Sequence, residues 1–286
     1  MASTSAKATI TATRAACHYA LGNTDAEHER LIRQAVRLAP LTERLFREAG
    51  IGTGQRVLDL GSGVGDVAIL AATLVGRSGE VVGVERDARS IARANARVAE
   101  AGLNNVRFIH SSVDQVVCDQ SFDAAVGRFI LMYVPDPIAV VRSVSQLVRP
   151  GGILAFLEPT WTAALVLAAD LPLWSAVLSV SRDTLQGSGA NPELGLALYR
   201  MFREAGLPAP SISLEIPLGS DGEFTRLACD ALCSLRPQIE RLNVCIEKLG
   251  DFQDLTSRLQ SEVEAAETVI GWPGIVGAWS RKPEAL

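Results

Sequence analysis

The stretch "VLDLGSGVG", Val57 to Gly65, constrains this chain more than any other. A short apolar run ends on Asp59. Glycines follow at 61, 63 and 65, and the helical pattern "DVAILAATLV" begins at once. Glycine is the residue that turns a chain sharply and lets other groups approach its backbone. A strand therefore has to pass into a helix through one tight turn. The rhythm then repeats. "EVVGVE" reads as a second strand, "DARSIARANARVAEAG" as a helix capped by Asp87, "VRFIH" as a third strand and "FDAAVGR" as a fourth. "PIAVVRSVSQLV" is helical, and "GILAFLE" is a fifth strand. Strands apolar on both faces, alternating with helices, predict a parallel sheet covered on both sides.

Upstream, "TDAEHERLIRQAVRL" predicts a helix capped by Thr24 or Asp25. Pro40 predicts an interruption, with "LTERLFREAG" resuming as a second helix closed by Gly50. After Glu158 the alternation thins. Two helical stretches, from Trp161 and from Asp221, flank the strand pattern "SISLEIPL", with a break expected at Pro237. "GIVGAWSRK" closes the chain as a last strand.

Charge and composition narrow the function. The net charge of -5 comes without a long basic run, so nucleic acid is not an expected partner. No apolar run is long enough to span a bilayer. The N-terminal "MASTSAKATITATRAA" has no acid and no apolar core of a secretion signal, and reads as a flexible tail. The five cysteines show no metal spacing, which fits a cytoplasmic protein with free thiols.

The glycine turn raises a question of ligand charge. A dinucleotide loop wants its third glycine at position 66, where this chain has Asp66. Asp59 and Asp66 flank the turn, and two carboxylates would repel a pyrophosphate. The turn is therefore expected to meet a ligand that is neutral or positive there. An NAD-dependent oxidoreductase stays as the alternative enzyme, and a catalytically silent cofactor-binding protein as the alternative without chemistry.

Four motifs in order resemble the class I S-adenosylmethionine-dependent methyltransferases: "VLDLGSGVG", "VVGVERD", "FDAAVGRFILMYVPDP" and "LVRPGGILAFLE". The likeness extends to bacterial natural-product small-molecule enzymes through "YALGNTDAEHERL". It implies an α/β, Rossmann-like, seven-stranded, mostly parallel sheet of order 3-2-1-4-5-7-6 with a helical cap, strand seven being antiparallel. It also implies S-adenosyl-L-methionine as cofactor and S-adenosyl-L-homocysteine as product. Asp59 would act near the methionine amino group. Gly61, Ser62 and Gly63 would meet the ligand through backbone. Glu85 would accept both ribose hydroxyls, since a carboxylate offers two acceptor oxygens. Arg86 would lie over the adenine. Ser112 and Val113 stand where the family often places an adenine-binding acid, with Asp114 as a substitute two residues on. Gly127 and Arg128 would border the methionine part.

The resemblance divides the chain as follows. Residues 1–23 are tail and lid, 24–50 lid helices, and 51–160 the cofactor-binding core. Residues 161–210 are a first cap insert, 211–220 strand six, 221–270 a second insert, and 271–286 the final strand. The inserts are apolar and aromatic, which suits a small apolar substrate, with a slight preference for a carbon acceptor on a prenyl or indole group and oxygen or nitrogen acceptors left open. Arg182, Arg200 and Arg203 leave a diphosphate substrate open, or a solvated face. Tyr19 is the candidate lid residue. Glu158, at the end of strand five, is the best-placed general base, ahead of His18, His28, His110 and Asp170. No metal cluster is expected, and the apolar inserts point to self-association as a homo-oligomer.

Overall fold

Strand β1 (Arg56–Leu60) is buried from Val57 onward, because helices close over both faces of the sheet. In the computed structural model, which describes residues 19–284, the elements run in this order. Helix α1 (Asp25–Ala49) precedes β1; α2 (Asp66–Val75), β2 (Glu80–Glu85), α3 (Ala88–Glu100), β3 (Val106–His110) and β4 (Phe122–Arg128) follow. Next come α4 (Pro137–Leu147), β5 (Val148–Thr160), α5 (Thr162–Leu167), α6 (Pro172–Gly187), α7 (Leu198–Glu204) and β6 (Ser211–Glu215). The chain ends with β7 (Leu218–Gly219), α8 (Gly222–Leu242), α9 (Leu255–Ala265), β8 (Ile270–Gly271) and β9 (Gly274–Arg281).

The main sheet has the order β3-β2-β1-β4-β5-β9-β6. Only β9 runs antiparallel to its neighbours. Counting β9 as the seventh strand, this is the 3-2-1-4-5-7-6 order that the motifs imply. Side chains alternate between two cores. Val57, Ala124, Val126, Ile153 and Ala155 pack on one side with Phe46 of α1 and Ala71 of α2. Leu58, Ala125, Leu154 and Phe156 face the other side, with Val141 of α4 and Phe202 of α7.

Two expected breaks are absent. Pro40 sits inside a continuous α1, and Pro237 inside a continuous α8. A helical proline forfeits its bond to the carbonyl four residues earlier. Those carbonyls belong to Val36 and Cys233, both exposed, so water can replace each lost donor. The stretch after Trp161 shows the reverse. It divides into α5 and α6 at Pro172, which is taken up as the first residue of α6.

Helices α5, α6, α8 and α9 form one cap, and two glutamates tie it together. Glu193 accepts from the Thr160 hydroxyl and from the Trp161 and Thr162 amides at the start of α5. Glu262 of α9 accepts from the Leu173 and Trp174 amides at the start of α6, both at 2.8 Å. Each carboxylate satisfies helix N-terminal donors that have no partner within their own helix. Helix α1 joins the cap through the pairs Arg33–Asp230 and Arg37–Asp221. None of the described helices is long and apolar enough to cross a membrane.

Candidate active site

A cavity of about 670 Å³ opens at the carboxyl ends of the parallel strands, beneath the cap. Ligands of open parallel sheets bind in this crevice. Its floor is the glycine turn. Gly61, Gly63 and Gly65 all have positive φ, at 62°, 52° and 87°. Each has a different reason to lack a side chain. A Cβ on Gly61 would strike Ile130, and one on Gly65 would press on Ala94 and Phe108 at 3.2 Å. A Cβ on Gly63 would meet nothing within 4 Å, so this glycine leaves its backbone open to the cavity.

Glu85 ends β2 beside that glycine. Its Oε2 accepts the Gly63 amide at 2.9 Å, and its Oε1 accepts the Arg86 and Asp87 amides at 2.8 and 2.9 Å. Three backbone donors thus hold the carboxylate at the cavity wall. Arg86 lines the cavity too, and its backbone carbonyl bonds the His110 ring at 2.9 Å. Ser112, Val113 and Asp114 all line the cavity at the end of β3, with the Ser112 hydroxyl bonded to the Asp114 carboxylate. Both candidates for the adenine-side acceptor therefore stand together.

Asp59 does not line the cavity. It shares the strand face of Val57, on the side covered by α1 and α2, and is 1% exposed. Neither carboxylate oxygen has a hydrogen-bond partner. Burial pushes its pKa well up, and the Arg128 guanidinium pulls the other way. Arg128 lies on the same face of β4, which pairs with β1. It donates to the Thr42 hydroxyl of α1 at 3.0 Å and lines the cavity. Burial lowers the pKa of Arg128, opposed by Asp66 and Asp59. Asp66 lines the cavity and pairs with Arg97 at 2.6 Å. Ser62 lines it with a buried hydroxyl that has no partner.

Two expectations need correcting, and a third question is answered. Gly127 lies outside the cavity lining; a Cβ there would meet Ile130 at 2.8 Å and Phe156 at 3.1 Å, so this glycine serves packing. Glu158 is not a free base at the crevice. It is fully buried, and it accepts the amides of Ile130, Leu131 and Met132 at 3.0, 2.8 and 3.2 Å. Burial pushes its pKa up to about 8 against those three donors. It holds the turn that follows β4, where Phe129 takes a left-handed φ of 56°. Arg182, Arg200 and Arg203 pair with Asp183, Glu204 and the Leu207 carbonyl, and none reaches the cavity. Of the two readings left open for these arginines, this agrees with the solvated face.

The lid joins Tyr19, just before α1, to a buried polar cluster on α1. Tyr19 lines the cavity, donates to Glu27 at 2.9 Å and sits edge-on to Tyr133 at 5.1 Å. Burial and the Glu27 charge raise its pKa, which suits a fixed donor better than an acid–base group. Arg30 grips Glu27 through two bonds and donates to Gln34 at 2.6 Å. His28 bonds Ser90 at 3.2 Å. His18 and Cys17 lie outside the described residues. The cap completes the cavity with Trp161, Trp174, Leu178 and Trp272. Leu198, Met201 and Phe202 are core instead, and Tyr199 is exposed. Trp272 and Tyr133 had no role assigned from sequence. Tyr133 sat within a quoted motif, whereas Trp272 follows no spacing that would have singled it out.

A family model described as Methyltransferase domain matches residues 51–206, more than half of the chain. The chain belongs to the S-adenosylmethionine-dependent methyltransferases. Demethylmenaquinone methyltransferase of Geobacillus kaustophilus is 32% identical over 176 residues, covering 57% of this chain and 75% of the relative. Arsenite methyltransferase of Aquipseudomonas alcaligenes is 40% identical over 111 residues, or 36% of this chain and 32% of the relative. Among solved structures, the YcgJ protein of Bacillus subtilis shares the fold at a TM-score of 0.55 and 15% identity, covering 85% and 98% of the two chains. The cyclase SpnF does so at 0.53 and 20%, covering 86% and 81%. Membership sets aside the nicotinamide-dependent reading. This methyltransferase also offers what its cofactor requires. The Glu85 carboxylate stands at the cavity wall, Gly63 leaves its backbone open, and Asp66 lies at the end of the turn. Among the described residues no three His, Cys, Asp or Glu side chains gather to hold a metal.

Proposed function

We propose that this enzyme methylates a carbon of a small apolar natural-product acceptor held beneath the cap, with prenyl-bearing or indole-like compounds as the preferred class. One observation carries the proposal: a single cavity joins the charged glycine-turn wall to a cap wall of Trp161, Trp174, Val177, Leu178, Leu185 and Leu235. Apolar acceptors gain most from such a wall, because burial of apolar surface drives their binding. The relatives named above act on demethylmenaquinone and on arsenite, so the shared core does not select the acceptor. Selection then falls to the cap, part of which lies beyond residue 206.

S-adenosylmethionine brings a methyl group already activated on its sulfonium. The residues of this chain then have to bind, orient and exclude water. Glu85 takes the ribose hydroxyls, Arg86, Ser112 and Val113 border the adenine, and Gly61, Ser62 and Gly63 offer backbone. Arg128 borders the methionine end, with Asp59 beneath it setting the local charge. Tyr19 and Tyr133 close the cavity from the α1 side. Glu158 acts indirectly, by fixing the turn that carries Phe129 and Ile130 to the cavity.

Incubation with methyl-labelled S-adenosylmethionine and a panel of indoles, prenylated aromatics and polar amines tests the proposal. Label is expected on carbon in the apolar members. Transfer confined to polar amines would overturn it.

A further inference from the structure

The two edges of the main sheet end differently. An edge strand has a row of amides and carbonyls with no strand to bond, and charged side chains keep such a row from pairing with another chain. Strand β3 follows that rule. Its exposed positions are Arg107, which pairs with Glu80, and His110, whose ring bonds the Arg86 carbonyl. Strand β6, at the other edge, does not follow it. It reads Ser211, Ile212, Ser213, Leu214, Glu215, bonds only β9 in the sheet, and exposes Ser211, Ile212 and Leu214. Its one charge, Glu215, is paired with Arg44 of α1.

Residues on one rung of a sheet share a face. Ile212 stands on a rung with Ala278 and Phe156, and the Phe156 ring packs edge-on against Phe202 of α7. Leu214 stands on the rung of Val276. Both therefore lie on the face that α7 covers at β5, yet at β6 they are 46% and 51% exposed. The apolar surface continues past the end of the strand. Leu214 and Ile216 stand next to Gly274, and Ile216, Leu218 and Leu167 of α5 stand next to Gly271. Leu167 and Leu218 are exposed as well. A strip of leucine and isoleucine thus runs beside an open strand edge, the combination that pairs with another chain when nothing covers it.

The order of residues in β6 fits a second copy of itself. Laid antiparallel about Ser213, the strand puts Ile212 opposite Leu214 of the second copy, and Ser211 opposite Glu215. Apolar meets apolar, and a hydroxyl meets a carboxylate. A register that set the two glutamates opposite each other would place like charges together. Every second residue of an antiparallel strand turns its amide and carbonyl to the same side. The pairs in this register join residues of the same parity, so outward groups meet outward groups whichever set β9 leaves free. A twofold pair also covers both edges at once and leaves none to grow from.

We propose that β6 is the dimer interface of this protein, pairing antiparallel with β6 of a second copy about a twofold axis at Ser213. The two sheets run on as one, with Ile212 and Leu214 of both copies packed across the joint. The apolar inserts, from which self-association was expected, are not what pairs; the strand between them is.

Sedimentation velocity on the full chain tests this first. The wild-type protein is expected to sediment as a dimer at about 100 μM. Ile212→Lys and Leu214→Lys each bring an ammonium from both copies into the joint, and should each raise the dissociation constant by about 100-fold. Affinity for S-adenosylhomocysteine should not change, since no residue of β6 lines the cavity, and the same titration shows that the variant is folded. If the lysine variants fail to fold, Ser213→Cys carries the test. Directly opposed residues of antiparallel strands have Cα atoms about 4.5–5.5 Å apart, within the reach of a disulfide. Oxidation by copper phenanthroline should join Ser213→Cys into a covalent dimer. The wild-type protein, with Cys233 and Cys245 exposed, and Ser211→Cys, whose thiol would meet Glu215, set the background. A monomeric wild-type protein at that concentration overturns the proposal. So does a dimer that neither lysine variant weakens, and so does a Ser213→Cys yield no higher than the background.

Discussion

The two walls of the cavity hold their polar groups in opposite ways. The glycine-turn wall is dense in charge, and most of its groups are paired: Glu85 with three amides, Asp66 with Arg97, Arg30 with Glu27. The cap wall is apolar: among the described residues no charged side chain of the cap lines the cavity. A paired charge is pre-oriented and costs little reorganisation when a ligand arrives. An apolar wall gains affinity from area and chooses among ligands through the few polar groups it has. The first arrangement suits a cofactor that never changes. The second suits an acceptor whose identity the cap must choose.

Substitutions that damage one wall and spare the other break or sharpen this contrast. The largest effect is expected from Glu85→Ala, which removes the carboxylate proposed to hold both ribose hydroxyls. Affinity for S-adenosylhomocysteine should fall about 100-fold, as two charge-assisted bonds are lost. Affinity retained to within a few-fold would show that the charged wall does not hold the ribose through this residue.

On the other wall, Ala231→Phe fills the apolar half from α8. It should raise KM for an apolar acceptor by roughly 10-fold, from overpacking of a lined cavity. S-adenosylhomocysteine affinity should stay unchanged in the same preparation. A parallel loss of both would mean that the two walls are not separable.

Glu158→Gln probes the turn between the walls. Glutamine keeps one acceptor oxygen but turns an amide nitrogen toward one of the three donors. Unfolding stability should drop by about 1–3 kcal/mol. The pH dependence has a definite sign. Burial raises the Glu158 pKa from 4.5 to about 8, so the folded protein holds this proton more tightly than the unfolded chain. The stability this contributes is complete below about 4.5 and is lost as pH rises through about 8. The gap between wild-type and Glu158→Gln melting temperatures should therefore narrow across that window. A constant gap would sink the assignment.

The smallest effect concerns Asp59, a buried carboxylate without a hydrogen bond and with a raised pKa. Asp59→Asn removes a carboxylate that burial disfavours but also part of the charge opposing burial of Arg128, so stability at pH 7 should change by no more than about 1 kcal/mol. S-adenosylhomocysteine affinity should weaken only a few-fold, because Asp59 acts through Arg128. A thermal melt and one titration on the same sample check both. A larger loss of stability would show that Asp59 has a partner the fold depends on.

Much of this was legible in one dimension. The strand order, the glycine turn and Glu85 at the end of β2 all follow local rules. Apolar runs set strands, glycine sets the turn, and a strand-end acid in an open parallel sheet lands in the crevice. The misreadings share a different cause. Pro40 and Pro237 were read as breaks because sequence does not show which carbonyl faces water. Glu158 was read as a free base because its three amide partners come from the turn after β4, more than 25 residues away. Gly127 was read as a ligand contact when Ile130 and Phe156 need the space.

By itself, then, the sequence determined the scaffold, the cofactor and the acidic character of the glycine turn, because these depend on residue type at short spacing. Only the tertiary structure decided that Asp59 lies beneath the cavity rather than in it. It alone decided that Glu158 fastens a turn, and that Trp161 and Trp272 line one cavity from neighbouring strand ends. Those properties depend on which distant groups share a buried volume, and a buried polar group is defined by the partner it has or lacks.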